Sequence, residues 1–411
     1  MNVSRIRGEQ LLRSGRRFSA EPGLIARALA PGFGKMLDRL DAGIEKGSLL
    51  GHLPDGTTRL LGGRNPGFDV EVRLKDWRAL IRLASLGAIG WFQAYEAGEW
   101  EADDHPALFA LFSANVRTLG NTARASGPFR LAARIAHALN RNNRAGAQRN
   151  IAAHYDLGND FYRAWLDETM TYSSALDCSD DGLEAAQRRK MDAIADRLGD
   201  ARSVLEIGCG WGSLADHLAR RGAQVTAISL SEEQLAWARE HCDPSIDFRK
   251  QDYRDTGGQY DAIMSVEMVE ALGREYWPAY MDCIARNLAP GGRAAIQFIG
   301  FDDDVFEDYA NTVDFIQAYV FPGGLLIKAS EFRALAEERG LSWEDQVDFG
   351  QDYAATLAEW HTCFDRAVAE GRLPEGFDAR FVRLWKFYLD YCEGGFRAGT
   401  INVHQVTLVK N

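Results

Sequence analysis

The residues with the clearest capacity for chemistry are Glu206-Ile207-Gly208-Cys209-Gly210-Trp211-Gly212, where three glycines alternate behind an acid. An apolar run, Ala201 to Ile207, precedes them, and helical apolar spacing from Leu214 to Ala219 follows. Strand, glycine turn and helix N-terminus together let a ligand approach bare backbone and meet N–H groups that have no partner in the helix. The same arrangement also suits a purely structural turn between strand and helix. The register is G-x-G-x-G, not the dinucleotide G-x-G-x-x-G, and neither a P-loop lysine nor a cluster with metal-ligand spacing competes for the turn.

The elements that must position this turn alternate along the chain. Gln187 to Leu198 reads as a helix feeding the first strand. Gln224 to Leu230 then reads as a strand, Glu232 to Glu240 as a helix, Tyr260 to Val266 as a strand, Tyr276 to Asn287 as a helix and Arg293 to Ile299 as a strand. Such alternation predicts an α/β domain, a parallel sheet with helices on both faces and its ligand at the carboxyl ends of the strands. Upstream, Leu24 to Leu40 reads as an amphipathic helix. Gly51 to Leu61 and Phe68 to Leu74 read as strands around Gly62-Gly63-Arg64-Asn65-Pro66-Gly67, so a smaller α+β domain is expected before the larger one. The expected division is 1–128, a linker 129–150, and 151–411.

At 411 residues the chain is long enough for two or three domains, and 46% hydrophobic with 26% charged residues is ordinary for a globular protein. A net charge of −12 sets nucleic acid aside as a general partner. Six scattered cysteines without a C-x-x-C pair fit a reducing compartment, and no stretch is long and apolar enough to span a bilayer. A cytoplasmic protein touching a membrane peripherally is the expectation. Phe129 to Asn150 carries Arg130, Arg134, Arg141, Arg144 and Arg149 with no acid, beside Leu131, Ile135 and Leu139. It reads either as a solvated linker helix or as a basic amphipathic helix for anionic headgroups.

Glu206 with its three glycines resembles the signature of class I S-adenosylmethionine-dependent methyltransferases, a Rossmann-like fold. Leu288-Ala289-Pro290-Gly291-Gly292-Arg293 and Gln251-Asp252-Tyr253 are similar to that family's later turn and adenine-side loop. More narrowly, His154-Tyr155-Asp156-Leu157-Gly158-Asn159, Thr171-Tyr172-Ser173, Gly208-Cys209-Gly210-Trp211-Gly212, Phe321-Pro322-Gly323-Gly324 and Phe396-Arg397 resemble the cyclopropane fatty acid synthase family. The likeness runs from about Asn150 to Asn411, and Tyr95 to Asp104 resembles the amino-terminal domain of the phospholipid enzymes.

The resemblance implies methyl transfer from S-adenosylmethionine to a double-bond carbon of an unsaturated phospholipid acyl chain, giving a carbocation that loses a proton, usually with cyclopropane closure. It also implies dimerisation, through the phospholipid enzymes alone. It assigns Tyr172, Ser173, Glu206, Gly208, Gly210, Gly212, Leu230 and Gln234 to the cofactor, with Asp252 and Tyr253 beside the adenine. The family's proton acceptor is bicarbonate held by a cysteine, a glutamate, a histidine, an isoleucine backbone and a tyrosine. Glu270, Ile299 and Tyr388 match, but Ser174 and Gln297 stand at the cysteine and histidine positions, Ala271 replaces a histidine, and Glu267 stands where a glycine is usual. An added carboxylate would repel bicarbonate, replace it as a base, stabilise the cationic intermediate, or point away as a solvated or ion-paired residue. The departures open two alternatives to ring closure: a methylene- or methyl-branched product, or a non-catalytic relative that binds lipid and cofactor. Trp360, His361, Phe315, Tyr319, Val320 and Phe321 read either as core or as the wall of an acyl slot.

Overall fold

A computed structural model describes residues 7–9, 11–12, 30–120, 157–178 and 181–411. The arginine-rich segment 129–150, read from the sequence as a linker or amphipathic helix, and the residues His154, Tyr155 and Asp156 lie outside these. Two compact units form. The first combines the described residues of Met1–Asn140 with Asp304–Pro322 and Gly376–Thr400; the second holds those of Arg141–Asp303, Gly323–Glu375 and Ile401–Asn411. The chain therefore does not divide at one linker as the sequence suggested. Two later segments return to the first unit, because the apolar faces they carry are covered there.

In the first unit a four-stranded sheet has the order β2-β1-β3-β4, from β1 (Lys46–His52), β2 (Thr58–Gly62), β3 (Asn65–Leu74) and β4 (Trp100–Ala102). The expected single strand Gly51 to Leu61 is instead an antiparallel hairpin. Pro54-Asp55-Gly56 turns the chain, with Thr57 N–H and hydroxyl both donating to the Asp55 carboxylate at 3.0 and 2.6 Å. The helix expected from Leu24 is described from Ala30 to Gly43. A late helix, Ala379–Arg397, packs on His105–Ala114. Gly394 sits there so closely that an added Cβ would lie 2.5 Å from Phe109. Phe92, Phe315, Tyr319 and Phe387 form one aromatic cluster in this core. Phe315, Tyr319 and Val320 are thus core residues.

The second unit is built on β5 (Ser203–Ile207), β6 (Gln224–Ser229), β7 (Asp247–Lys250), β8 (Tyr260–Val266), β9 (Leu288–Phe301), β10 (Ile327–Lys328), β11 (Leu341–Asp348) and β12 (Ile401–Lys410). The main sheet order is β11-β12-β9-β8-β5-β6-β7, with β10 added beside β9. From β7 to β9 the strands are parallel, as the alternation predicted; β12 and β11 close that end antiparallel. Four helices matter for the site: α1 (Leu183–Leu198), α2 (Ser213–Arg220), α3 (Glu232–His241) and α4 (Gly350–Ala369). Met191, Ile194, Leu198, Leu214, Leu218 and Leu235 from three of them pack on Val204, Ala227, Ala262 and Ala295 of the strands. At roughly 1.5–3 kcal/mol per large apolar side chain, this burial supplies the main force holding helices to sheet.

From β5 the chain builds outward in both directions, to β6 and β7 on one side and to β8 and β9 on the other. That reversal opens a crevice at the carboxyl ends of the strands, where Gly208, Glu267 and Ile299 all lie. No helix among the described residues is long and apolar enough to cross a membrane.

Candidate active site

The glycine turn is shaped by three positive φ angles: +87° at Gly208, +52° at Gly210 and +88° at Gly212. Side chains other than glycine adopt such angles at a cost of about 1–2 kcal/mol each. The N–H groups of Gly208 and Cys209 both donate to the Ile228 carbonyl, at 3.0 and 3.1 Å, which folds the turn over β6. The glycines differ in surroundings. A Cβ on Gly208 would strike Met268 at 2.6 Å, and one on Gly212 would press Ala238, Cys242 and Phe248 at 3.0 Å. At Gly210 it would meet nothing within 4 Å. Gly212 and Gly208 are required by packing, whereas Gly210 faces open space.

Among the residues assigned to the cofactor, three buried polar atoms have no partner: Glu206 Oε2, Gln234 Nε2 and the Tyr253 hydroxyl. Gln234 is fixed by its own N–H to the Ser231 hydroxyl, the N-cap of α3, at 3.3 Å. A carboxyl oxygen, an amide and a hydroxyl left idle in the domain that carries the glycine turn fit a polar ligand such as S-adenosylmethionine. Two assigned residues behave otherwise than expected. Glu206 accepts from the Ala215 N–H and is 4% exposed, and burial pushes its carboxyl up to about 8, so it is mainly neutral at pH 7. Asp252 is engaged by Arg254, at 2.8 Å to Nε and 2.5 Å to Nη2. Leu230 and Tyr172 are half-buried, and the Tyr172 ring stands 5.2 Å from that of Trp360. Trp360 is core, against Trp165, Tyr172 and Tyr353; His361 lies 3.5 Å from Asp365 on the same helix.

Beyond Met268 the anomalous residues converge. Glu267 sits at φ +46°, the left-handed conformation that a glycine adopts freely. Its N–H donates to the Gln297 carbonyl at 2.8 Å, continuing the β8–β9 pairing. Its side chain does not point away. Glu267 Oε1 accepts from the Ser174 N–H at 2.9 Å and from Gln297 Nε2 at 2.7 Å, and the Tyr353 hydroxyl also bonds the carboxyl. Ser174 is fully buried, its hydroxyl turned to the Ala175 carbonyl at 2.8 Å. Next to it, Ser173 Oγ accepts from Lys190 Nζ at 2.7 Å. Burial lowers Lys190 to about 8, while the charges of Glu267, Asp167 and Glu206 oppose the fall.

Glu270, in the turn Val269–Ala271, accepts from the Ile299 N–H through Oε1, while its Oε2 is buried without a partner. Burial first and then the charge of Glu267 push it up to about 8. Burial raises Glu267 too, but two N–H groups, a hydroxyl and Lys190 oppose that rise, against the Ile299 N–H and a backbone contact within its own residue for Glu270. Of the two, Glu267 has more groups that favour its ionised form. Tyr388 belongs to the first unit, where its ring packs against Trp385 and Phe321.

Sequence reading missed Lys190, Tyr353, Gln405 and Arg197. Lys190 left a signal: it falls among Ala186, Gln187, Met191 and Ile194 on the buried stripe of α1, where a lysine needs a partner.

The sheet order and the glycine crevice define the second unit as a methyltransferase fold of the S-adenosylmethionine-dependent class. The solved structure of mycolic acid cyclopropane synthase CmaA1 with SAH and CTAB aligns with a TM-score of 0.59 and 26% identity, over 64% of this chain and 98% of that one. Residues 142–406 match the family described as mycolic acid cyclopropane synthetase, and the chain belongs to it. A tuberculostearic acid methyltransferase, UfaA1 of Mycobacterium tuberculosis, is 36% identical over 357 residues, 80% of either chain. The cyclopropane-fatty-acyl-phospholipid synthase of Escherichia coli K12 is 33% identical over 348 residues, 83% of this chain and 88% of that one. The protein is an S-adenosylmethionine-dependent lipid methyltransferase.

Proposed function

We propose that the protein methylates a double-bond carbon of an unsaturated phospholipid acyl chain, and that Glu267, in place of bicarbonate, takes the proton that ends the reaction. The observation that carries this reading is the convergence at Oε1 of Glu267. Ser174 and Gln297, at the family's cysteine and histidine positions, both donate to it. Donors that would otherwise surround a bound anion are consumed by a carboxylate of the chain itself. The names of the relatives bear on the substrate: one is a cyclopropane-fatty-acyl-phospholipid synthase, and the other is named a tuberculostearic acid methyltransferase, not a cyclopropane synthase.

S-adenosylmethionine, when bound, supplies an electrophilic methyl group. The π electrons of the double bond form the new C–C bond, and the neighbouring carbon is left cationic. Glu267, its carboxyl raised by burial and held by four groups that favour the ionised form, accepts a proton in this reading. Loss of a proton from a carbon beside the cation, whose C–H electron pair becomes the new double bond, gives a methyl-branched, still unsaturated chain. A methylene branch requires that a hydride first shift from the methylated carbon to the cationic one, after which the methyl group loses the proton. A saturated branch needs a further hydride donor, so it is not the product of this step. Glu270, neutral beside the anion, adds no second charge. Its unpartnered oxygen is the feature that favours the other reading, ring closure with bicarbonate.

The products are isomers, so mass alone does not separate them. Lipids from a host expressing the protein are analysed by gas chromatography–mass spectrometry before and after hydrogenation, and by proton NMR. Vinylic protons on a chain one carbon heavier, lost on hydrogenation, are expected. A cyclopropane formed in proportion to added bicarbonate overturns the assignment of Glu267.

A further inference from the structure

Behind Gln297 the hydrogen bonds continue inward. Gln405 lies directly opposite Gln297 in the β9–β12 register, and its Nε2 donates to Gln297 Oε1 at 2.9 Å. Gln405 Oε1 in turn accepts from Arg197 Nε at 3.3 Å. Arg197, in the last turn of α1, is tethered through Nη1 to the Asp345 carbonyl at 2.6 Å and the Thr407 hydroxyl at 3.1 Å. The glutamines are 1% and 2% exposed, so neither amide can exchange a partner with bulk water.

The direction of this chain is fixed from one end. A guanidinium has donors and no acceptor, so the Gln405 carbonyl must face Arg197. The Gln405 amide nitrogen then faces Gln297, the Gln297 carbonyl accepts it, and the Gln297 nitrogen is left facing Glu267. The final group has to be an acceptor. A proton on Glu267 Oε1 would require both amides to reverse, pressing the Gln405 NH2 against the guanidinium inside a poorly solvated core.

We propose that Arg197 and Gln405 are positioning residues that lock the donor side of Gln297 towards Glu267 and keep that carboxylate a proton acceptor during turnover. The proposal rests on Glu267 being the base. The other groups that bear on Glu267 are Lys190 on α1, Glu270 on the turn after β8, Tyr353 on α4 and the Ser174 N–H. All of them stay in place when the relay is cut.

The test is the pH profile of product formation under single turnover, with saturating S-adenosylmethionine and vesicles of unsaturated phospholipid. In Gln405→Leu and Arg197→Met the acid limb is expected to move up by about one unit, about a tenfold loss on the acid side with little change on the alkaline side. Arg197→Lys, still a pure donor, is expected to keep the wild-type limb. Arg197 is only half-buried, so its variants keep the question answerable if Gln405→Leu does not fold. An unmoved limb in Arg197→Met, or an equal shift in Arg197→Lys, overturns the relay. Glu267→Gln separates the two levels. If it leaves rate and product unchanged, the base assignment falls and the relay with it. If it abolishes proton loss while the relay variants keep the wild-type limb, the relay alone falls.

Discussion

Glu267→Gly removes a strained backbone and a carboxylate in one step, and the two effects oppose each other measurably. Relief of the left-handed conformation at φ +46° returns about 1–2 kcal/mol. Against this, the Ser174 N–H, the Gln297 amide and the Tyr353 hydroxyl lose their acceptor. A buried donor left unmade costs about 1–3 kcal/mol, less where water enters the vacated space. With three donors affected, the balance is a net loss of about 1 kcal/mol or more, a few degrees or more in melting temperature for a domain of this size. The vacated space is lined by donors suited to a small oxyanion. Bicarbonate at ten times its dissociation constant is therefore expected to restore about 1.4 kcal/mol to the variant, read as a rise in Tm at fixed pH and ionic strength. The wild type, whose own carboxylate fills the place, is expected not to respond. Equal bicarbonate shifts in both proteins, or a variant more stable than wild type and indifferent to bicarbonate, refute the reasoning.

Two further outcomes follow from the crevice. Folded Glu206 is raised from 4.5 to about 8, so the folded state holds a proton that the unfolded chain releases; its contribution is full below about pH 4.5 and is lost as pH rises through about 8. Glu206→Gln, which still accepts from the Ala215 N–H, is expected to flatten the fall of Tm between pH 5 and 8, and parallel curves for the two proteins would contradict this. Gly210→Ala is expected to weaken S-adenosylmethionine binding at least about tenfold by calorimetry for a stability loss of about 1 kcal/mol, whereas Gly212→Ala, meeting Ala238, Cys242 and Phe248 at 3.0 Å, loses more stability; wild-type affinity in Gly210→Ala would remove that glycine from the ligand face.

What could be read from the sequence was local. The apolar run Tyr260 to Val266 became β8 with the expected ends, because a strand buried on both faces needs nothing from distant residues to declare itself. The glycine turn was legible for the same reason. Pro54-Asp55-Gly56 carried its turn in plain residue types and was passed over in favour of the longer glycine cluster after it. Strands β11 and β12 lacked the helix alternation that marked the others, and their place is set by pairing with β9. The anomalous positions of the site were visible as departures from a family pattern, but their sense was not. Gln297 meets Gln405 across 108 residues, and only the antiparallel register decides that these two amides, not their neighbours, face each other.

That register also explains why the departures belong together. Ser174, Glu267 and Gln297 come from three segments, and Glu267 Oε1 accepts from both others, from the backbone N–H of Ser174 and the side-chain amide of Gln297. The glutamate needs donors once it is taken out of water, and the amide needs an acceptor on the side that Gln405 leaves open. A glycine at 267 with Gln297 retained strands the amide; a glutamate with an apolar residue at 297 strands the charge. Burial alone would drive Glu267 towards neutrality, and Lys190, Tyr353, the Ser174 N–H and Gln297 pull the other way. Its neighbour Glu270, with fewer donors and a like charge beside it, is pushed up to about 8. The division of the two carboxyls between acid and base that we propose would originate in these hydrogen bonds within the protein.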